Sequence, residues 1–341
     1  MENFFNINKK LNLDEYNFTE NDFDLASVEQ KENFMTKAPS TSYFKDAMRR
    51  LKANKIAMVA LMFIVVVVIF AFIGPLFVEG DYTTQFRGDE NLFPCARYPF
   101  GTDKLGRDIM VRTMYGTRVS LIVGVFASLI VLFIGSIYGA VSGYFGGKVD
   151  ALMMRFLDLI YSIPDVLVVI LLSIGISTPL KDFVNSSNSE FAKKIAVLGP
   201  ALISIFIAFG LLYWVGMARM IRGQVLMLKK QEFITAVEAL GGSRKRIIWR
   251  HLFPNCIGQI IVMTAMQIPS AIFLESFLSF LGIGVSAPMT SLGAMAADAL
   301  GGIYSYAYRL IIPSLILSLM ILSLNLFSDG LRDALDPRLK K

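Results

Sequence analysis

Residues 56–78 form an apolar run without one charged side chain. An α-helix rises about 1.5 Å per residue, so about 20 such residues cross the ~30 Å hydrocarbon core of a bilayer. The run begins too far from Met1, and is too long, for a cleaved signal peptide. Hydropathy picks out five further candidates, 119–141, 157–176, 198–217, 257–283 and 310–327, which predicts an all-α, polytopic membrane protein with six transmembrane helices. Composition agrees. Of 341 residues 55% are hydrophobic and 18% charged, whereas soluble domains carry roughly 25% charge.

The same composition excludes several chemistries. Two cysteines cannot build a disulfide scaffold or a Cys-rich zinc site, and the single histidine, His251, leaves no His cluster for a metal or a triad. The formal charge of +6 points to a membrane face rather than to nucleic acid in a chain this apolar. No cofactor is expected on the chain.

With six spans both termini share a side. The segment before the first span, the loops 142–156 and 218–256 and the C-terminus hold 23 of the 33 Lys and Arg, so the positive-inside rule places both termini in the cytoplasm. Four regions follow: a polar tail at 1–40, a region at 41–115 with the first span and an external loop, a core at 116–329, and a C-terminus at 330–341. Residues 177–197 read as a flexible polar insertion. Residues 282–308, rich in glycine and without Lys or Arg, read as a re-entrant hairpin shielded by protein.

Gly135, Gly139, Gly143 and Gly147 recur every four residues, which stacks them on one helix face. That face serves packing within the chain or a subunit contact, and its last part is expected to form a cytoplasmic elbow. Polar groups inside spans are costly and therefore candidates for function. Glu275, followed by Ser276, is read as lining a translocation pathway or as a structural hydrogen-bonding group. Asn325, a further pathway candidate, and Asp165 lie near cytoplasmic ends, where solvation or helix–helix hydrogen bonds suffice.

Between spans four and five the pattern from Arg222 to Leu240 is helical. Gly241-Gly242 breaks it, Ser243 can cap a second short helix, and Pro254 opens the next span. Two short helices should therefore meet at a crowded glycine corner. The string from Gln231 to Asn255 resembles the "EAA" loop of binding-protein-dependent ABC importer permeases. Ala236, Gly241 and Pro254 fall on its pattern, while Thr235 replaces the glutamate, Val237 the second alanine, His251 the isoleucine and Phe253 the leucine. Residues 100–108 with 115–121, 143–147 with Asp150 and Asp158, 278–284 and 329–338 also resemble the oligopeptide and dipeptide permeases of the OppC/DppC type, in the expected order. The tail, the 177–197 insertion and Leu292, where tryptophan is common, depart from the pattern.

The resemblance implies a type I ABC importer permease fold. It also implies a second homologous permease subunit, two cytoplasmic ATPase subunits that bind ATP and Mg, and an external substrate-binding protein. Loop 219–255 would be the coupling helix, with Glu232, Thr235, Ala236, Val237, Ala239, Gly241, Gly242, Ser243, Arg250 and Pro254 at the ATPase contact. The chain itself carries no ATPase site: around Gly147-Lys148 the Walker A pattern fails twice. Peptide is the implied cargo, with nickel or another small solute as an alternative. The rival class is a secondary transporter driven by an ion gradient, with Glu275 as its ion or proton site.

Overall fold

The computed structural model describes residues 43–187, 189–285 and 287–336. The 1–40 tail and residues 337–341 of the C-terminal region lie outside them. Two compact units divide the chain, 1–46 and 47–341. Helix α1, Tyr43–Ala53, is followed by α2, Lys55–Phe72, whose first turn is capped by Asn54 accepting from the Ala57 amide. A long loop leads to α3, Ile109–Phe145, capped by Asp108. Then come α4 (Gly147–Tyr161), α5 (Asp165–Ser186), α6 (Glu190–Leu198), α7 (Pro200–Leu212) and α8 (Trp214–Leu228). After them follow α9 (Glu232–Ala239), α10 (Arg244–Phe280), α11 (Leu292–Ala299) and α12 (Tyr308–Leu335). Among the described residues the only β pairing is an isolated bridge between Thr102 and Asp108.

Six helical stretches are long and apolar enough to cross a membrane: α2, α3, α5, α7 with α8, α10 and α12. The expected number of spans holds, and several bounds change. The third span begins at Asp165 rather than at 157, because Pro164 separates it from α4. Helix α4 carries Lys148, Asp150, Arg155 and Asp158 on a separate amphipathic segment. Residues 177–197 are no irregular insertion. Helix α5 runs through them to Ser186, and α6 restarts at Glu190 with Ser189 accepting from the Ala192 amide at 3.1 Å. Polar composition hid a helical period there, and the rings of Phe183 and Phe191 lie 6.3 Å apart across the turn. Segment 282–308 holds the short helix α11, whose Leu292, Gly293, Met295, Ala296 and Ala299 are buried.

The glycine ladder is a seam within the chain. A Cβ on Gly135 would lie 2.6 Å from the Met217 side chain and 2.8 Å from the Trp214 carbonyl oxygen, and one on Gly143 would lie 2.9 Å from the Arg222 carbonyl oxygen. At Gly139 it would run into the Ala218 carbonyl oxygen. Successive glycines thus meet successive turns of α8, so α3 and α8 run parallel in close backbone contact. Gly147 departs from this set. Nothing lies within 4 Å of its Cβ position, and with Gly146 it has positive φ (54° and 63°), making the elbow between α3 and α4.

At the other end of α3, Arg118 donates to the Ala71 carbonyl oxygen at 3.0 Å, fastening the end of α2. The loop before α3 is pinned to α12 by Tyr308, whose hydroxyl donates to the carbonyl oxygens of Leu92 and Thr102 at 2.8 and 3.0 Å. Cys95 is exposed and Cys256 buried, and both are free thiols.

Candidate functional site: the turn between α8 and α10

Where a single helix from Arg222 to Leu240 was expected, the chain makes two. Helix α8 ends at Leu228, and residues 229–231 turn, with Lys230 and Gln231 donating to the carbonyls of Met227 and Leu228. Helix α9 then ends in a Schellman motif. The Gly242 amide donates to the Val237 carbonyl at 2.9 Å and the Gly241 amide to the Glu238 carbonyl at 3.0 Å, with Gly241 at φ +76°. Glycine is needed at 241 for its conformation and not for space, since nothing lies within 4 Å of its Cβ position. The crowding expected at 241 falls on Gly242 instead, where a Cβ would lie 2.6 Å from Val237 Cγ1 and 2.8 Å from its carbonyl oxygen.

Ser243 caps the following segment, its Oγ accepting from the Arg246 amide at 3.3 Å. No separate second short helix forms: α10 is continuous from Arg244 to Phe280. Pro254 stands in the first turn of the regular α-helical part of α10, Phe253–Phe280, as expected of a proline that opens a helix. Proline offers no N–H to the preceding turn, and residues Ile247–Leu252 widen into a π-helical turn just before it. Asn255 fills part of the gap, its Nδ2 donating to the His251 carbonyl at 2.6 Å.

One face of this corner is built in. Ile234, Ile247, Ile248 and Leu252 are buried in a cluster with Val225, Tyr144 and Leu157. The other face is open. Glu232, Thr235, Ala236, Ala239, Gly241, Ser243, Arg250 and Pro254 are exposed, and Val237 and Gly242 half-buried. The apolar Phe233 and Leu240 of the Arg222–Leu240 pattern, not placed at the expected contact, are exposed, Leu240 at 88%, and so is Trp249 on α10. Leu240 thus stands open one residue before the corner. Helical spacing could have flagged Phe233 and Leu240, since neither shares the face of Ile234.

The corner is held to the bundle by charge. Arg222 grips both carboxylate oxygens of Asp150 with Nε and Nη2, and Ser142 Oγ donates to the same carboxylate. Lys229 Nζ donates to the Tyr144 carbonyl at 2.8 Å, and Arg219 donates to Asp158 at 2.7 Å. The Arg222 guanidinium holds the Asp150 carboxyl below the usual carboxylate range. Its stabilisation is therefore complete above the ordinary carboxylate value of about 3.9 and fades as pH falls through the lower folded value. Asp150→Asn should lower thermal stability at neutral pH by about 2 kcal/mol, the scale of a hydrogen bond to a charged group. In thermal unfolding of the detergent-solubilised protein, its deficit against the parent should shrink as pH drops below about 4.

The pathway candidates occupy different surroundings. Glu275 is 0% exposed, and its carboxylate accepts hydrogen bonds from Ser120 at 2.7 Å, Ser279 at 2.8 Å and Ser276 at 3.2 Å. Ser279 Oγ also accepts from the Val285 amide at 3.0 Å. The group ties α3, α10 and the turn after α10 together. Ser276 is likewise buried, whereas Asn325 is exposed on α12.

Comparison with known proteins adds a second line of support. The profile of the family described as binding-protein-dependent transport system inner membrane component matches residues 132–341. That of the N-terminal TM domain of oligopeptide transport permease C matches 42–94. The chain is 43% identical over 320 residues to the dipeptide transport system permease protein DppC of Bacillus subtilis, covering 94% of this chain and 93% of that one. It is 40% identical over 325 residues to the oligopeptide transport system permease protein OppC of the same organism (95% and 99%). To OppC of Escherichia coli it is 37% identical over 315 residues (91% and 97%).

Proposed function

The chain belongs to the family of binding-protein-dependent transport system inner membrane components, and from that premise we propose that it is one permease half of an ATP-driven peptide importer. In this reading it spans a prokaryotic plasma membrane with both termini in the cytoplasm and pairs with a second homologous permease subunit. Cargo arrives from an external substrate-binding protein. Two cytoplasmic ATPase subunits, which hold ATP and Mg, seat the α9 corner and supply the hydrolysis that this chain does not perform. Peptide is favoured over nickel or another small solute because the relatives described above are named for dipeptide and oligopeptide transport.

The observation that carries the proposal is the corner itself. Its inner face is fixed by Ile234 and the Arg222–Asp150 fork, while Phe233 of α9 and Leu240 at its end stand exposed. A short helix held at both ends transmits a displacement to α8 and α10 as a rigid body, which a flexible linker would not do. Binding of nucleotide at the partner can then bias one arrangement of the spans over another. A secondary transporter would give this apolar tip no task and would need Glu275 accessible to ions, whereas it is sealed in serines. The test is copurification. Tagged chain expressed with the adjacent transporter subunits should retain the ATPase subunits, and Leu240→Asp should lose them while still retaining the second permease subunit. Equal ATPase retention by both would reject the corner as the docking element.

A further inference from the structure

At the end of the bundle opposite the α9 corner, the loop before α3, the start of α3, α11 and the start of α12 line a small cleft open to solvent. Its charged lining is unbalanced: Lys104, Arg107, Arg112 and Arg309 face Asp103 and Asp298. The two carboxylates are already engaged. Asp103 Oδ2 accepts from Arg107 Nε and Arg112 Nη1, each at 2.7 Å, and Asp298 Oδ2 accepts from Arg112 Nη2 at 3.3 Å. Arg309 has no carboxylate partner among the described residues. It is 8% exposed, lies against the Tyr306 ring at 4.4 Å, and its Nε and Nη2 are buried without a hydrogen-bond partner.

A guanidinium left unpaired at such burial is costly, and that cost falls when an anion enters. The free atoms also specify the anion's shape. Nε and Nη2 form one edge of the fork, and in this same chain Arg222 uses that pair of atoms to hold both oxygens of Asp150. A planar carboxylate matches this edge with two parallel hydrogen bonds. We propose that Arg309, backed by Arg112 and Arg107, is a receptor for a single carboxylate group at this end of the protein. Two sources present that chemistry, the free C-terminus of a peptide and an acidic side chain of the external binding protein. The choice between them rests on the function proposed above, whereas the receptor does not.

The experiment uses the full chain with its partner subunits in lipid nanodiscs and follows thermal unfolding in acetate, phosphate and chloride at matched ionic strength. Acetate should raise the midpoint by a few degrees in the parent protein, less in Arg309→Lys, which keeps the charge and loses the fork, and not at all in Arg309→Met. No acetate effect on the parent, an equal effect in the variants, or an effect of phosphate alone would overturn the receptor. Because the parent's response is decisive by itself, poor folding of a variant leaves the test intact. Protection by trialanine but not by its C-terminal amide assigns the carboxylate to cargo. Acetate-sensitive capture of the purified binding protein, weakened in Arg309→Lys, assigns it to docking. Acetate protection that survives in a protein unable to transport peptide would separate failure of the functional reading from failure of the receptor.

Discussion

Gly242→Leu is expected to reduce ATP-driven uptake roughly tenfold or more while the protein still inserts and keeps its helix content. The reason is local and steric. The new Cβ would stand 2.6 Å from Val237 Cγ1 and 2.8 Å from the Val237 carbonyl oxygen, the atom that accepts the Gly242 amide in the Schellman bond. A side chain can rotate aside, but a backbone carbonyl inside its own helix cannot, so the turn must open. Opening it moves Leu240 and the start of α10 relative to one another, and the apolar tip loses its shape. The adjacent glycine gives the control. Gly241 needs only a left-handed conformation in open space, which asparagine adopts at modest cost. Gly241→Asn should therefore retain most of the uptake, and Gly241→Val, β-branched at positive φ, should not. Uptake of labelled peptide into cells, normalised to protein in the membrane, reads all three. Equal loss at both glycines would mean that the corner responds to any change of sequence and not to its geometry.

Glu275→Ala should destabilise the bundle by about 3 kcal/mol. It removes the acceptor shared by Ser120, Ser276 and Ser279 and leaves their hydroxyls in a dry cavity between α3 and α10. Glu275→Gln keeps an acceptor oxygen and nearly the same volume, so it should stay close to the parent in both thermal stability and transport rate. An ion-coupling role predicts the opposite pattern, with transport lost in the glutamine variant and stability untouched. Thermal unfolding in detergent, paired with uptake rates, separates the two.

The span count was legible because a lipid-facing helix must be apolar on almost every side, a demand that composition alone expresses. The bounds were less so. Pro164 and the charges of α4 were both visible, yet a hydropathy window smooths over one proline, and the start at 157 ran across it. The helix at 190–198 was missed because serines and asparagines around it read as loop, although Ser189 is a helix cap in the usual position. At the α9 corner the glycines and Ser243 announced the turn correctly. What they could not give is which glycine is crowded, since Val237 folds back on Gly242 only through the three-dimensional path of the cap. The serine cage of Glu275 was equally hidden: Ser276 and Ser279 share its helix, but Ser120 comes from 155 positions away. That Arg309 has neighbouring carboxylates already taken by Arg107 and Arg112 is shown only by the fold.

The central claim is that this chain moves cargo only when ATPase subunits work its α9 corner. Reconstitution into sealed vesicles with the second permease subunit and the binding protein, with and without the ATPase subunits and ATP, tests it most directly. The account predicts accumulation of peptide against its gradient only when ATPase subunits and ATP are both present, and none with an imposed proton or sodium gradient alone. Accumulation driven by an ion gradient without nucleotide would contradict it.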